Sequence, residues 1–520
     1  MGTAIVWLRN TLRVHDNPLL HWAWESDEVD SVIPLFVMDP SRGVGGEEPI
    51  SDTRMGFLYE SLVELNQRLG SEHGAGLMVL AGQPEEVIPT VAKELETADG
   101  WLLCDYVPDA RSREEVEAIG ESLGGLGFRT RVFPCVSTIL DVERVTQGEG
   151  FRDPKSSSDI ASILGRVLGE GPDGYLVPGP LDPPEEVRFD RLRFEELLES
   201  EPLSKLLVTM DDITGRIDDL GVGESYFRGG EDEALDRLRR KVSERPEFVN
   251  EFSKPSTMST NEHGHPMEPS TTGLSPYLST GCLSVRKVWE ECAKANLASD
   301  HTKPPQSLIG QLMFREMFYL LSRSVENWDD DVGNSNCKPI EWGEHDEELV
   351  RAWEEGMTGF PYIDAMMRQL EATGWMHHLG RHAVSCFLTR GQLWQNWKHG
   401  RDVFDRKLVD SDWAVNNGNW LWLAGVAPFS MPYYRVYNPC PDSKSSLNVE
   451  AKEASFIRHW VPELASFPSR YIFEPHLAPE HVQEEAGCVI GTDYPSPIVD
   501  RKESRRVNLD LFKESLARIA

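Results

Sequence analysis

The chain has no cysteine pair at a metal-binding or redox spacing: its eight cysteines are scattered over 520 residues, with no CxxC. That argues against a zinc framework or a disulfide scaffold and suits a reducing compartment. No apolar run approaches the roughly 20 residues that cross a bilayer. No signal peptide is expected at the N-terminus, because Arg9 interrupts the first apolar stretch. Residue 6 is Val where N-myristoylation needs Ser or Thr. A cytoplasmic or nuclear location, with no membrane, is the expectation. No GxGxxG follows the first apolar run, so a dinucleotide-binding role is unsupported. Internal repeats are also missing. Positive charge is scarce: 52 Lys and Arg stand against 86 Asp and Glu, a net charge of −34. A nucleic-acid partner would therefore need a local basic cleft inside an acidic shell. The basic cluster RKESRR at 501–506 reads as a solvated helix start, with nuclear import as the alternative.

What is present is the composition of an ordinary globular protein, 40% hydrophobic and 27% charged, long enough for two or three domains. The first part alternates. AIVWLR (4–9), VIPLFVM (32–38), LMVL (77–80), WLLC (101–104) and TRVF (130–133) are short apolar runs that suit buried parallel strands. Segments 54–69, 85–97 and 111–124 between them carry helical spacing. That is a doubly wound parallel-sheet α/β pattern. Pro- and Gly-rich residues 169–187 read as a connector, and from about 205 long amphipathic patterns replace the strand signals. The expected division is an α/β domain at 1–135, a connector at 136–205 and an all-α domain at 206–515.

The densest signal lies between Trp375 and Trp422. His378 and His382 stand four apart with Arg381 between them, and Asp410, Asp412 and Asn416 follow. Residues four apart share a helix face, so two imidazoles can address one bound molecule. An arginine with two carboxylates suits a charged cofactor, and the interleaved Trp394, Trp397 and Trp420 suit electron relay. The HxxxH spacing lacks the Glu of HExxH, so no metal is expected. Taken singly, each feature has a blander explanation: satisfied core histidines, core tryptophans, or Asn416 as a cap in an NNGN turn.

This block resembles the flavin-binding core of the photolyase/cryptochrome family, closest to (6-4) photolyases and animal-type cryptochromes. Further segments agree in order and spacing: WLRNTLRVHDNP at 7–18, FRGGEDEAL at 227–235, STTGLSPYLSTGCLS at 270–284, GQLMFREMFYLLS at 310–322 and YPSP at 494–497. The resemblance thus covers nearly the whole chain. It implies an antenna-type α/β domain followed by a helical FAD-binding catalytic domain. FAD would be held by Thr271, Thr272, Leu274, Ser275, Gln311, Arg315, Arg381, Asp410, Asp412 and Asn416. Trp420, Trp397 and Trp342 would relay electrons to the flavin, with Trp394 at the place of a fourth member. His378, His382, Tyr437 and Gln311 would face the damaged base, and Arg435 would flank it.

The implied activity is blue-light-driven repair of (6-4) pyrimidine photoproducts in UV-damaged DNA. Reduced flavin would supply an electron and His378 a proton, with His382 in support. The alternatives are a blue-light cryptochrome acting on a signalling protein partner, and repair of cyclobutane pyrimidine dimers. An antenna pigment, folate or deazaflavin, is left undetermined. Three places depart from the (6-4) pattern. Phe314 replaces the usual Trp. The segment AGVAPFSMPYYRVYNP at 424–439 ends as in cyclobutane-dimer enzymes. The stretch 147–165 lacks the usual element, although Lys155 there could touch phosphate.

Overall fold

The computed structural model describes residues 2–39, 50–97, 99–172, 174–220, 226–254, 256–260, 268–297 and 300–519. The five apolar runs form one parallel sheet: β1 (Gly2–Trp7), β2 (Val29–Met38), β3 (Met78–Ala81), β4 (Gly100–Asp105) and β5 (Phe128–Phe133). Their order is β3-β2-β1-β4-β5. The chain adds strands to one side of β1 and then crosses to the other, which is the doubly wound arrangement. The β1 register pairs Ile5 with Ile33 on one side and Leu102 on the other. All three are fully buried, so a one-residue slip would turn the whole apolar set over.

The crossovers are helical: α1 (Pro18–Glu25), α2 (Asp52–His73), α3 (Pro84–Glu94) and α4 (Ala110–Gly124). Their starts are written in the sequence. Asn17, Ser51 and Asp109 each accept a backbone N–H of the first turn, and Pro18 and Pro84 occupy positions where no donor is needed. Ile5, Ile33 and Leu102 belong to a core that also takes in Val87, Ile88 and Val91 of α3. Each such side chain contributes about 1.5–3 kcal/mol.

The chain packs into two units, Met1–Glu251 with Leu274–Ser324, and Phe252–Gly273 with Val325–Ala520. In the first unit the Leu308–Ser324 helix buries Glu316, whose carboxylate accepts the Ile139 and Leu140 amides at 3.0 Å each. Burial pushes that carboxyl up to about 7.

The second unit is helical. Its site-bearing elements are Pro361–Thr373, His378–Cys386, Trp397–Lys407, Trp413–Ala424 and Arg501–Ile519. The Trp413–Ala424 segment carries no charge, as expected of a helix buried on several sides. Asp412 caps its start through the Val415 amide (3.0 Å), and Gly425, at φ 80°, ends it in the left-handed conformation. Tyr494 of the YPSP segment donates to buried Asp364.

Candidate active site

His377 caps the His378–Cys386 helix. Its Nδ1 accepts the Leu379 amide at 3.1 Å, which leaves Nε2 to carry the proton and donate to Thr257 Oγ1, also at 3.1 Å. Both ring nitrogens are thus used by a neutral imidazole. His378 and His382 follow at the first and fifth helical residues, their rings 6.1 Å apart and nearly perpendicular. The His378 ring lies against His377, with centres 4.3 Å apart. His382 Nδ1 pairs with the Tyr437 hydroxyl at 2.9 Å. Both rings are half-buried, and His378 Nε2 meets no hydrogen-bonding partner among the described residues.

The electrostatics of this cluster are one-sided. Burial holds all three imidazoles below their ordinary value, His377 and His382 down to about 3. Among the described residues the leading charges on them are positive: Lys254 on all three, Arg381 on His377 and His378, and Arg390 on His382. The helix N-terminus acts in the same direction on His378. Lys254, half-buried with its Nζ 5.8 Å from the Trp422 ring, is itself pushed down to about 8 by burial. Lys254 is thus a local positive charge beside the imidazoles in a chain of charge −34.

Arg381 is held by a carboxylate and a backbone carbonyl. Its Nη2 binds both carboxylate oxygens of buried Asp410, at 2.8 and 3.1 Å, and its Nε donates to the Met376 carbonyl. Asn416 lies inside the Trp413–Ala424 helix, not in a turn. Its amide nitrogen donates to the Arg401 carbonyl (3.1 Å), and its amide oxygen accepts from none of the described residues. Thr271 and Thr272 belong to this unit too. Leu274, Ser275, Gln311 and Arg315 belong to the other. There Leu274 precedes a helix of only five residues and no side chain caps it. The backbone dipole contributes little at such a length, and the side chains carry any anion-binding argument. Gln311 donates to the Pro305 and Ser307 carbonyls, and Arg315 to Ser137 O and the Tyr319 hydroxyl.

Trp420 and Trp397 are fully buried. A Cβ on Gly400 would collide with the Trp420 ring, so only glycine admits this approach. Gly400 lies three residues after Trp397, on the same face of the Trp397–Lys407 helix. Trp342, half-buried, and Trp394 pair at 5.0 Å.

Two members of the site had no periodic signal in the sequence. Lys254 is a single loop lysine. Arg390, fully buried with no carboxylate partner among the described residues, donates to the carbonyls of Leu423, Tyr433 and Arg435 at 2.8–3.2 Å. It pins the loop that carries Tyr437. Its only signal was a lone arginine within an apolar helical stretch, AVSCFLTRG.

The chain as a whole has counterparts among known proteins. Residues 4–157 match the DNA photolyase family model, and residues 308–514 match that of the FAD binding domain of DNA photolyase. The chain belongs to the photolyase/cryptochrome family. It is 38% identical to a (6-4)DNA photolyase of Oryza sativa subsp. japonica, over 96% of this chain and 87% of that one. It is 37% identical to the (6-4)DNA photolyase of Arabidopsis thaliana, over 95% and 85%. Cryptochrome-1 of Sylvia borin is 33% identical over 98% and 78%. A cryptochrome of Synechocystis shares the fold at TM-score 0.80, with 24% identity, covering 98% of this chain and 99% of that one. An archaeal photolyase from Sulfolobus tokodaii, solved with two FAD molecules and implying a novel light-harvesting cofactor, superposes at TM-score 0.72, with 26% identity over 98% and 100%. This family member therefore carries a photolyase-type FAD-binding domain. The donor set fits that cofactor: a charge-balanced Arg381–Asp410 pair and an asparagine anchored at one end with its other end open. Among the described residues no helix is long and apolar enough to cross a membrane, and no cluster of metal-ligating side chains occurs.

Proposed function

We propose that this chain repairs (6-4) pyrimidine photoproducts in DNA by a light-driven, FAD-dependent reaction. The observation that carries the reading is the His378–His382–Tyr437 cluster in its cationic setting. Thr271 and Thr272 would hold the pyrophosphate side of FAD. Arg381, Asp410, Asp412 and Asn416 would hold the ring and ribose. Reduced FAD, when bound and excited by blue light, supplies one electron to the lesion and recovers it after bond cleavage. Everything else falls to the side chains.

Lys254 and the neighbouring arginines attract the phosphodiester of a nucleotide turned out of the duplex. The cost of turning it out is smallest for a badly stacked lesion. Bound phosphate opposes the positive field on the imidazoles. It raises their affinity for a proton, so that His378 Nε2 acquires one where the lesion's transferred group lies. His382, fixed by Tyr437, orients that donor. The free protein thus keeps the acid unloaded, and the substrate loads it.

A second reading, signalling by flavin photoreduction to a protein partner, is favoured by the similarity to cryptochromes; the indole series serves either role. Flavin-reduced protein is to be mixed with oligonucleotides holding a (6-4) product or a cyclobutane dimer, in light and in darkness. Light-dependent loss of the (6-4) product alone is expected. Loss of neither, with normal photoreduction, would leave the signalling reading; loss of the dimer alone would assign the other repair reaction.

A further inference from the structure

The aromatic contacts do not end at Trp342 and Trp394. Phe512, fully buried on the Arg501–Ile519 helix, lies 6.1 Å from the first and 6.3 Å from the second, edge to face with both. Tyr433 stacks on Phe512 with ring centres 4.9 Å apart and planes within 4°. Tyr433 in turn meets Tyr434 at 5.7 Å, and Tyr434 is 64% exposed. The plain reading is an aromatic patch fastening the last helix. The order of ring types says more. Two oxidisable indoles come first, then a phenyl ring that is inert but thin enough to tunnel through, then a half-buried phenol, then solvent. Arg390 donates to the Tyr433 carbonyl at 2.9 Å, which fixes the phenol's backbone from the interior.

We propose that Tyr433 is the terminal electron donor of the indole relay, an inference that rests on the relay described above. The step balances. Excited oxidised flavin is the oxidant, and the hole it leaves in the tryptophans travels outward to Trp394. One electron then leaves Tyr433, crosses Phe512 and restores Trp394. The phenolic O–H bond breaks, its proton goes to water, and Tyr433 remains as a neutral radical. A phenol gives up an electron readily only when it can shed that proton. Tyr433 stands where water can take it, whereas a deeper ring would not. Return of the electron then requires return of a proton, so the separated charge persists.

The test is a light flash on flavin-loaded protein, with radicals followed by transient absorption and electron paramagnetic resonance. The unaltered protein should show a tryptophan radical giving way to a tyrosyl radical, more slowly in D2O. In Tyr433→Phe the tryptophan radical should still form, the tyrosyl signal should be missing, and the radical lifetime should shorten about tenfold, the factor that a barrier change of about 1.4 kcal/mol gives. Tyr434→Phe should keep the tyrosyl signal. Phe512→Leu should slow its appearance, with thermal unfolding confirming that this buried site still folds. A tryptophan radical with no tyrosyl successor in the unaltered protein overturns the assignment of Tyr433 and leaves the relay intact. So does a tyrosyl signal that survives Tyr433→Phe and is lost in Tyr434→Phe. No tryptophan radical at all overturns the relay itself.

Discussion

His15 and His378 make an instructive pair. Burial lowers both imidazoles. His15 stands 2.6 Å from Glu231, a buried carboxylate that also accepts the Val14 and His15 amides. Nearby, Asp16 is matched by Arg286 at 2.6 Å. Charge buried for architecture is paired within the fold, because an unpaired buried charge costs several kcal/mol. His378 has the opposite company: two more imidazoles and Lys254, with Arg381 already balanced by Asp410. That arrangement gains nothing for the free protein. It makes sense if the missing negative charge arrives with a ligand.

The sharpest way to break this contrast is to remove each imidazole. His378→Ala should lower light-driven (6-4) repair by about 10²–10⁴-fold, the usual contribution of a positioned acid, while FAD absorbance at full occupancy is retained. His15→Ala should instead cost about 1–3 kcal/mol of stability in a denaturant titration, since it strips a partner from a buried carboxylate, with repair per folded molecule unchanged. If the two variants behave alike, the distinction fails. Trp420→Phe should abolish flavin photoreduction under blue light and leave repair by chemically reduced protein nearly whole, which separates the relay from the histidine chemistry.

The neutral state of the cluster has a pH signature of its own. His377 and His382 titrate near 3 when folded against an ordinary value near 6.5. Between these values the unfolded chain binds protons that the folded chain refuses. Their contribution is therefore whole above about pH 6.5 and is lost as pH falls toward 3. Melting temperature should drop over that window, and His377→Asn should flatten the drop. Lys254→Met removes a neighbouring cation, so the imidazoles should titrate at higher pH and the alkaline limb of the repair profile, where His378 loses its proton, should move upward. Tyr437→Phe should have the smallest effect: one hydrogen bond to His382, worth about 0.5–1.5 kcal/mol, seen as a several-fold slower repair.

How much of this was legible beforehand follows from range of interaction. The five strands were, because runs such as VIPLFVM need only a period and two breakers, and β2 runs Val29–Met38 around that stretch. The His378–His382 spacing and the Arg381–Asp410 pair were, the first through local helix geometry and the second through the family resemblance. Asn416 as a turn cap was not right, since Asp412 takes the capping role and draws NNGN into the helix. Lys254 was invisible, because its effect comes from a loop distant in sequence, through charge alone. Arg390 was invisible for a related reason. It bonds to backbone carbonyls of the 424–439 loop, which any sequence can offer.

The most direct test of the central claim is the charge state of the His378 ring, read from its 15N shifts in flavin-loaded protein as pH is varied. A ring neutral down to well below pH 6.5 in the free protein, and protonated at higher pH once a (6-4)-containing oligonucleotide is bound, is the predicted result. A titration that is the same with and without that DNA would contradict the claim that the substrate supplies the charge this pocket lacks.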